Sequence, residues 1–117
     1  MRVPEVPLAD AMMPFNVARH DSEDAIRIIV HGELDLETGP RVAGEIRQAE
    51  AAAPALLVLD LRNVTFFDST GLQLVLDADV RAREEGRTFV VLPGDGEPRR
   101  ILELAEVTDR LQLEEPA

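Results

Sequence analysis

Apolar positions along this chain follow two rhythms, one of period two and one of period three to four. Phe15 to His20 sets Phe15, Val17 and Arg19 against Asn16, Ala18 and His20, a weak edge-strand pattern. Asp21-Ser22-Glu23-Asp24 is a turn by composition. Ala25 to His31 is a stronger strand, with Ile26, Ile28 and Val30 on one face, so the two segments form a hairpin. Gly32 to Thr38 leaves that strand. Thr38 or Gly39 then caps a helix with Pro40 in its first turn. Val42, Ile46, Ala49 and Ala53 mark its core face, Glu45, Arg47 and Glu50 point outward, and Pro54 stops it. Ala55 to Leu61 is a continuous apolar run, as expected of a central strand covered on both faces.

A second amphipathic segment runs from Leu72 to about Glu85 and ends at Gly86, with Leu72, Val75, Leu76, Val80 and Ala82 expected inward. Asp79 fits that stripe badly. Leu74 projects to the other side and is either buried by a wide contact or exposed for a partner. Arg87 to Leu92 is another strand, ended by Pro93-Gly94-Asp95-Gly96. Pro98 to Ala105 is a third helix with Ile101, Leu102 and Leu104 as its apolar residues, and Val107 to Leu113 closes with a helical turn and a short strand. The order β-β-α-β-α-β-α plus a terminal element predicts a single α/β domain. Its sheet is mixed, mostly parallel and four- to five-stranded, with helices packed mainly on one face. Residues 1–13, with Pro4 and Pro7, are expected to be a flexible lead-in, 14–113 the domain and 114–117 a tail.

Composition narrows the chemistry. At 117 residues the chain can bury one core, and no apolar run approaches the roughly 20 residues of a membrane span. A basic, apolar leader pattern is missing too, so a cytoplasmic location is expected. The formal net charge of −11 argues against nucleic acid or an anionic membrane surface as partner and suits basic protein partners. All twelve basic residues are arginine, which removes a Walker-type phosphate loop, a Schiff base and a lysine general base. The same lack of lysine disfavours a phospho-acceptor receiver domain built on Asp60. Cysteine is absent, so disulfides and metal thiolates are excluded. No cofactor or metal is expected. Glu33, Asp35 and Glu37 alternate but miss the calcium-loop pattern and read as solvated loop acids.

The chain is organised around Val64-Thr65-Phe66-Phe67-Asp68-Ser69-Thr70-Gly71-Leu72, where a buried strand hands over to a helix. A hydroxyl there can cap the helix, and the same N–H groups and helix dipole would stabilise a phosphate on it. Both uses are open on the residues alone. Hydrolysis is not favoured: His20 and His31 sit on an edge hairpin with no evident route to Ser69, and Phe67 breaks the G-x-S-x-G pattern. The chain therefore reads as a binding module and not an enzyme.

Val58-Leu59-Asp60-Leu61, followed by Val64 to Leu72, resembles the STAS domain of bacterial anti-sigma factor antagonists. Gly32-Glu33-Leu34-Asp35, followed by Thr38, is similar to that family's second signature, and the element order matches from about Phe15 to Leu113. The resemblance implies that Ser69 is the phosphorylated serine, that Asp68, Thr70 and Gly71 shape its site, and that Asp35 contributes to partner contact. A partner surface made of Asp35, Leu36, Thr38, Gln73, Leu74 and Asp77 is expected beside it. It further implies an anti-sigma factor partner that is a serine kinase of the GHKL type. The unphosphorylated form binds it and frees sigma factor, phosphorylation breaks the complex, and a PP2C-type phosphatase restores it. Two other uses of the fold stand beside this: an accessory subunit gripping a transporter ATPase, with no phosphoregulation, and a stressosome-type scaffold.

Overall fold

The structure, a computed structural model, describes residues 15–115. The expected lead-in, residues 1–13, lies outside the described residues. Five strands and three helices follow in the order β1 (Phe15–Ser22), β2 (Ala25–Leu34), α1 (Gly39–Ala51), β3 (Leu56–Phe67), α2 (Ser69–Glu85), β4 (Thr88–Leu92), α3 (Glu97–Leu104) and β5 (Gln112–Leu113). They form one sheet in sequential order, β1-β2-β3-β4-β5. β1 pairs antiparallel with β2, and the remaining pairs are parallel. The expected α/β mixed sheet is therefore observed, with five strands and β3 at its centre.

Alternation sets the buried face. Ile26, Ile28 and Val30 of β2 join Leu57, Leu59 and Leu61 of β3 in one cluster with Val42 and Ile46 of α1, Val75 and Ala78 of α2, and Leu102 of α3. All three helices thus feed the same core. The other side of β3 is not the apolar, helix-covered face expected for that strand. It carries Asp60, which is 2% exposed and held by Arg62, with Arg27 of β2 nearby.

Two expected inward residues prove exposed, Ala53, which lies beyond the helix with φ 53°, and Val80 at 44%; Leu104, an apolar residue of α3, is 68% exposed. Conversely Glu50, expected outward, is buried and accepts from Arg81 Nε at 2.9 and 3.0 Å. The arginine satisfies the carboxylate, which lets an acid occupy a position continuing the Val42–Ile46 row at spacing four. Asp79 is buried as well, its carboxylate 3.1 Å from Arg83 Nη2 one turn later. Glu114, expected in the tail, still donates its N–H to Val91 O at 3.0 Å.

β3 runs six residues further than its apolar run suggested. Its core positions change from a spacing of two (Leu57, Leu59, Leu61) to a spacing of three (Val64, Phe67). Two irregularities in the β2–β3 register account for this: Ile29↔Asp60 is followed by His31↔Asn63, and Gly32↔Val64 by Glu33↔Phe66. Each inserts an extra residue in β3, and an extra residue flips the facing of every later position in the strand. Asp60 steadies the first bulge, its Oδ1 accepting from Arg62 N at 3.1 Å and Nε at 2.9 Å while Oδ2 accepts from Nη2 at 2.6 Å. The shifted register ends with Leu34 paired to Phe67.

Candidate functional site

That final pair decides where the site forms. β2 and β3 are parallel neighbours ending side by side, so the loop after Leu34 and the turn after Phe67 emerge together. The carboxyl ends of parallel strands are where α/β folds collect functional loops.

Asp35 folds the first loop. Its Oδ1 accepts from Glu37 N at 2.9 Å and Thr38 N at 3.1 Å, and Thr38 Oγ1 stands 3.2 Å away. These donors, the Thr38 N–H foremost, hold the Asp35 carboxyl below the usual carboxylate range. Thr38 occupies the N-cap position of α1 but does not cap with its side chain. Its Oγ1 instead donates to Glu33 O at 2.7 Å and accepts from Asp35 N at 3.0 Å. Asp35 and Thr38 are thus engaged with each other, and the residue the loop presents outward is Leu36, 80% exposed.

On the second strand end, Asp68 is the cap of α2, in place of the serine or threonine the sequence suggested. Its backbone is extended (φ −123°, ψ −162°) and its Oδ1 accepts from Thr70 N at 2.9 Å. Leu72 N donates to Asp68 O at 3.1 Å. Ser69 becomes the first helical residue and is exposed, its hydroxyl not spent on closing the helix. The N–H groups of Ser69 and Gly71 have no intrahelical partner by position. Gly71 is dictated by packing: a Cβ there would lie 2.5–2.9 Å from the Phe67 ring, itself only 1% exposed.

Between α1 and α2 lies a groove of about 560 Å³, lined in part by Leu36, Pro40, Ser69, Gln73, Leu74 and Asp77. Leu74, ambiguous in the sequence, packs against the core with one side and lines the groove with the other. Gln73 Nε2 donates to Asp77 Oδ1 at 2.8 Å, bracing the outer face of the helix. The structure therefore gathers Leu36, Ser69, Thr70, Gln73, Leu74 and Asp77 at one groove, whereas Asp35 and Thr38 shape the loop beside it. Sequence reasoning missed Gly39, Pro40 and Ala43, small or rigid residues of α1 that form the opposite wall.

A family model described as "Mlab, STAS domain" matches residues 16–114. The chain belongs to the STAS domain family. It is 28% identical over 90 residues to anti-sigma-B factor antagonists of Listeria monocytogenes and Listeria innocua, covering 77% of this chain and 79% of theirs. An anti-sigma factor antagonist from Mycobacterium paratuberculosis superposes with a TM-score of 0.79 at 27% identity, covering 88% of this chain and 86% of that one. The Bacillus cell fate determinant SpoIIAA in its phosphorylated form superposes with a TM-score of 0.68 at 16% identity over 88% of this STAS chain and 91% of that chain, a likeness of fold alone. These relatives are named as anti-sigma factor antagonists. No helix of the described residues is long and apolar enough to cross a membrane.

Proposed function

We propose that this STAS domain is a cytoplasmic anti-sigma factor antagonist that docks through the groove beside Ser69 and is released when Ser69 is phosphorylated. One observation carries the reading: Asp68 takes the cap of α2, which leaves an exposed serine hydroxyl at the helix start, on the wall of an apolar groove. Similarity to the Listeria and Mycobacterium antagonists supports the partner class. The partner is an anti-sigma factor that is itself a serine kinase of the GHKL type, and a PP2C-type phosphatase reverses the modification.

The physical logic is local. In the unmodified state Leu36 and Leu74 offer apolar area, and the acids Glu37, Asp68 and Asp77 around them suit a partner with a basic rim. A phosphate adds about −1.5 to −2 charge. In the free protein the α2 N-terminus and solvent stabilise it; in a closed interface beside Asp68 it brings repulsion and desolvation. A penalty of about 3 kcal/mol weakens binding more than a hundredfold, with no refolding of the domain.

Phosphopeptide mapping of the chain isolated from its native cells tests the modification directly. A single phosphate on Ser69 is expected. Phosphate confined to Thr70 or to another element would overturn the assignment.

A further inference from the structure

A second cleft lies away from the groove, between the last turns of α2, the start of β4 and the turn that leads into β5. It encloses about 460 Å³, and its lining includes Asp79, Arg83, Arg87, Phe89, Arg110 and Gln112. Asp79 is ten residues beyond Ser69 on the same helix, about 15 Å along its axis. In a chain of net charge −11, three arginines converge here against one acid.

Two of these groups are buried with hydrogen-bonding capacity left over. The Arg87 side chain is 5% exposed, yet among the described residues its Nε and Nη2 have no hydrogen-bond partner. Nη2 forms ion pairs with Glu85 Oε1 at 2.6 Å and Glu50 Oε2 at 3.7 Å but makes a hydrogen bond to neither. Neither acid lines the cleft. The Asp79 side chain is 8% exposed, and its Oδ2 is likewise without a hydrogen-bond partner, although Arg83 Nη2 lies 3.1 Å away. Buried donors and acceptors are rarely left unmatched, because each costs about 1–3 kcal/mol. Arg83 also donates to Arg110 O, which ties the helix to the turn and holds the cleft's two sides together.

The orphan groups specify what fits. Arginine donors call for an anion with several acceptor oxygens, and the Asp79 oxygen calls for a ligand that also donates a proton. Inorganic phosphate keeps a proton at neutral pH and offers both; sulfate offers acceptors only. We propose that this cleft binds inorganic phosphate, with Arg83, Arg87 and Arg110 on its charged oxygens and its P–OH donated to Asp79.

The test is an amide-resolved NMR titration of the full chain in phosphate- and sulfate-free buffer, first with inorganic phosphate and then with sulfate. Saturable shifts are expected at Thr88, Phe89 and Arg110 to Gln112, with sulfate binding at least about tenfold more weakly because it leaves Asp79 unmatched. Arg110→Gln, at an exposed turn residue that can be changed without disturbing the core, lowers phosphate affinity by about tenfold. Asp79→Asn brings sulfate to within roughly threefold of phosphate. Absence of saturable shifts, equal responses to the two anions in the wild type, or a response untouched by Arg110→Gln would each overturn the proposal.

Discussion

Gly39 lies against Thr70 so closely that a Cβ on Gly39 would meet Thr70 Cγ2 at 2.7 Å. The first turns of α1 and α2 therefore touch through a glycine and a branched side chain, and both residues line the groove. Thr70 has few rotamers to yield with. Gly39→Ala is expected to lower the unfolding free energy by about 1–3 kcal/mol, as small-to-large changes in packed sites do. Denaturant melts read this directly, and an unchanged midpoint would mean that the two helices part freely.

Asp68 gives a cleaner separation of roles. Losing the cap by Asp68→Ala costs about 1 kcal/mol, whereas Asp68→Asn retains an acceptor for Thr70 N and stays within about 0.5 kcal/mol of wild type. Equilibrium unfolding of the two variants side by side distinguishes cap from charge. If both lost the same stability, the charge beside the helix dipole would be the larger effect.

The distance between what the chain spelled out and what it concealed is clearest in β3. Period two announced Leu57, Leu59 and Leu61, but the spacing of three at Val64 and Phe67 resembled no strand, because two bulges reset the facing. Without that register the meeting of the Asp35 loop with Ser69 could be expected only from family resemblance. Glu50 was hidden differently. Its spacing from Val42 and Ile46 pointed inward, but its charge pointed outward, and only the Arg81 partner 31 residues away reconciles the two. At Asp68-Ser69-Thr70 three adjacent side chains could all cap a helix, and composition cannot choose among them. The hairpin, the helices and the Gly86 cap in the left-handed region (φ 71°) were legible because each depends on neighbours in sequence.

Asp60 links stability to pH. Burial pushes its carboxyl up, but the Arg62 hydrogen bonds outweigh this and hold it below the ordinary carboxylate range. A depressed folded-state pKa contributes stability that is present above the unfolded value of about 3.9 and lost as pH falls through the folded one. Asp60→Asn is expected to cost about 1–3 kcal/mol at neutral pH, toward the lower end because Arg62 and Arg27 are partly exposed. Unfolding curves taken at decreasing pH should show wild type and variant converging below about pH 4. A gap that stayed constant into acid would show that the ion pair is not its source.

The proposed docking mode predicts that Leu36 contributes to docking and not to folding. At 80% exposure its replacement by aspartate should change stability by no more than about 0.5 kcal/mol. The same Leu36→Asp change should weaken partner binding at least about tenfold, since it places a charge where apolar area is buried. Calorimetry with the identified partner measures this, and unchanged affinity would remove the Asp35–Thr38 loop from the interface.

The central claim, a phosphorylation-gated docking surface at Ser69, is tested most directly by affinity capture from native lysate. Wild type, Ser69→Ala and Ser69→Asp serve as baits, and bound proteins are identified by mass spectrometry. Gating at Ser69 predicts a GHKL-type serine kinase retained by wild type and Ser69→Ala and lost with Ser69→Asp. A transporter ATPase subunit held equally by all three baits would contradict it and leave Ser69 as an unmodified helix-start residue.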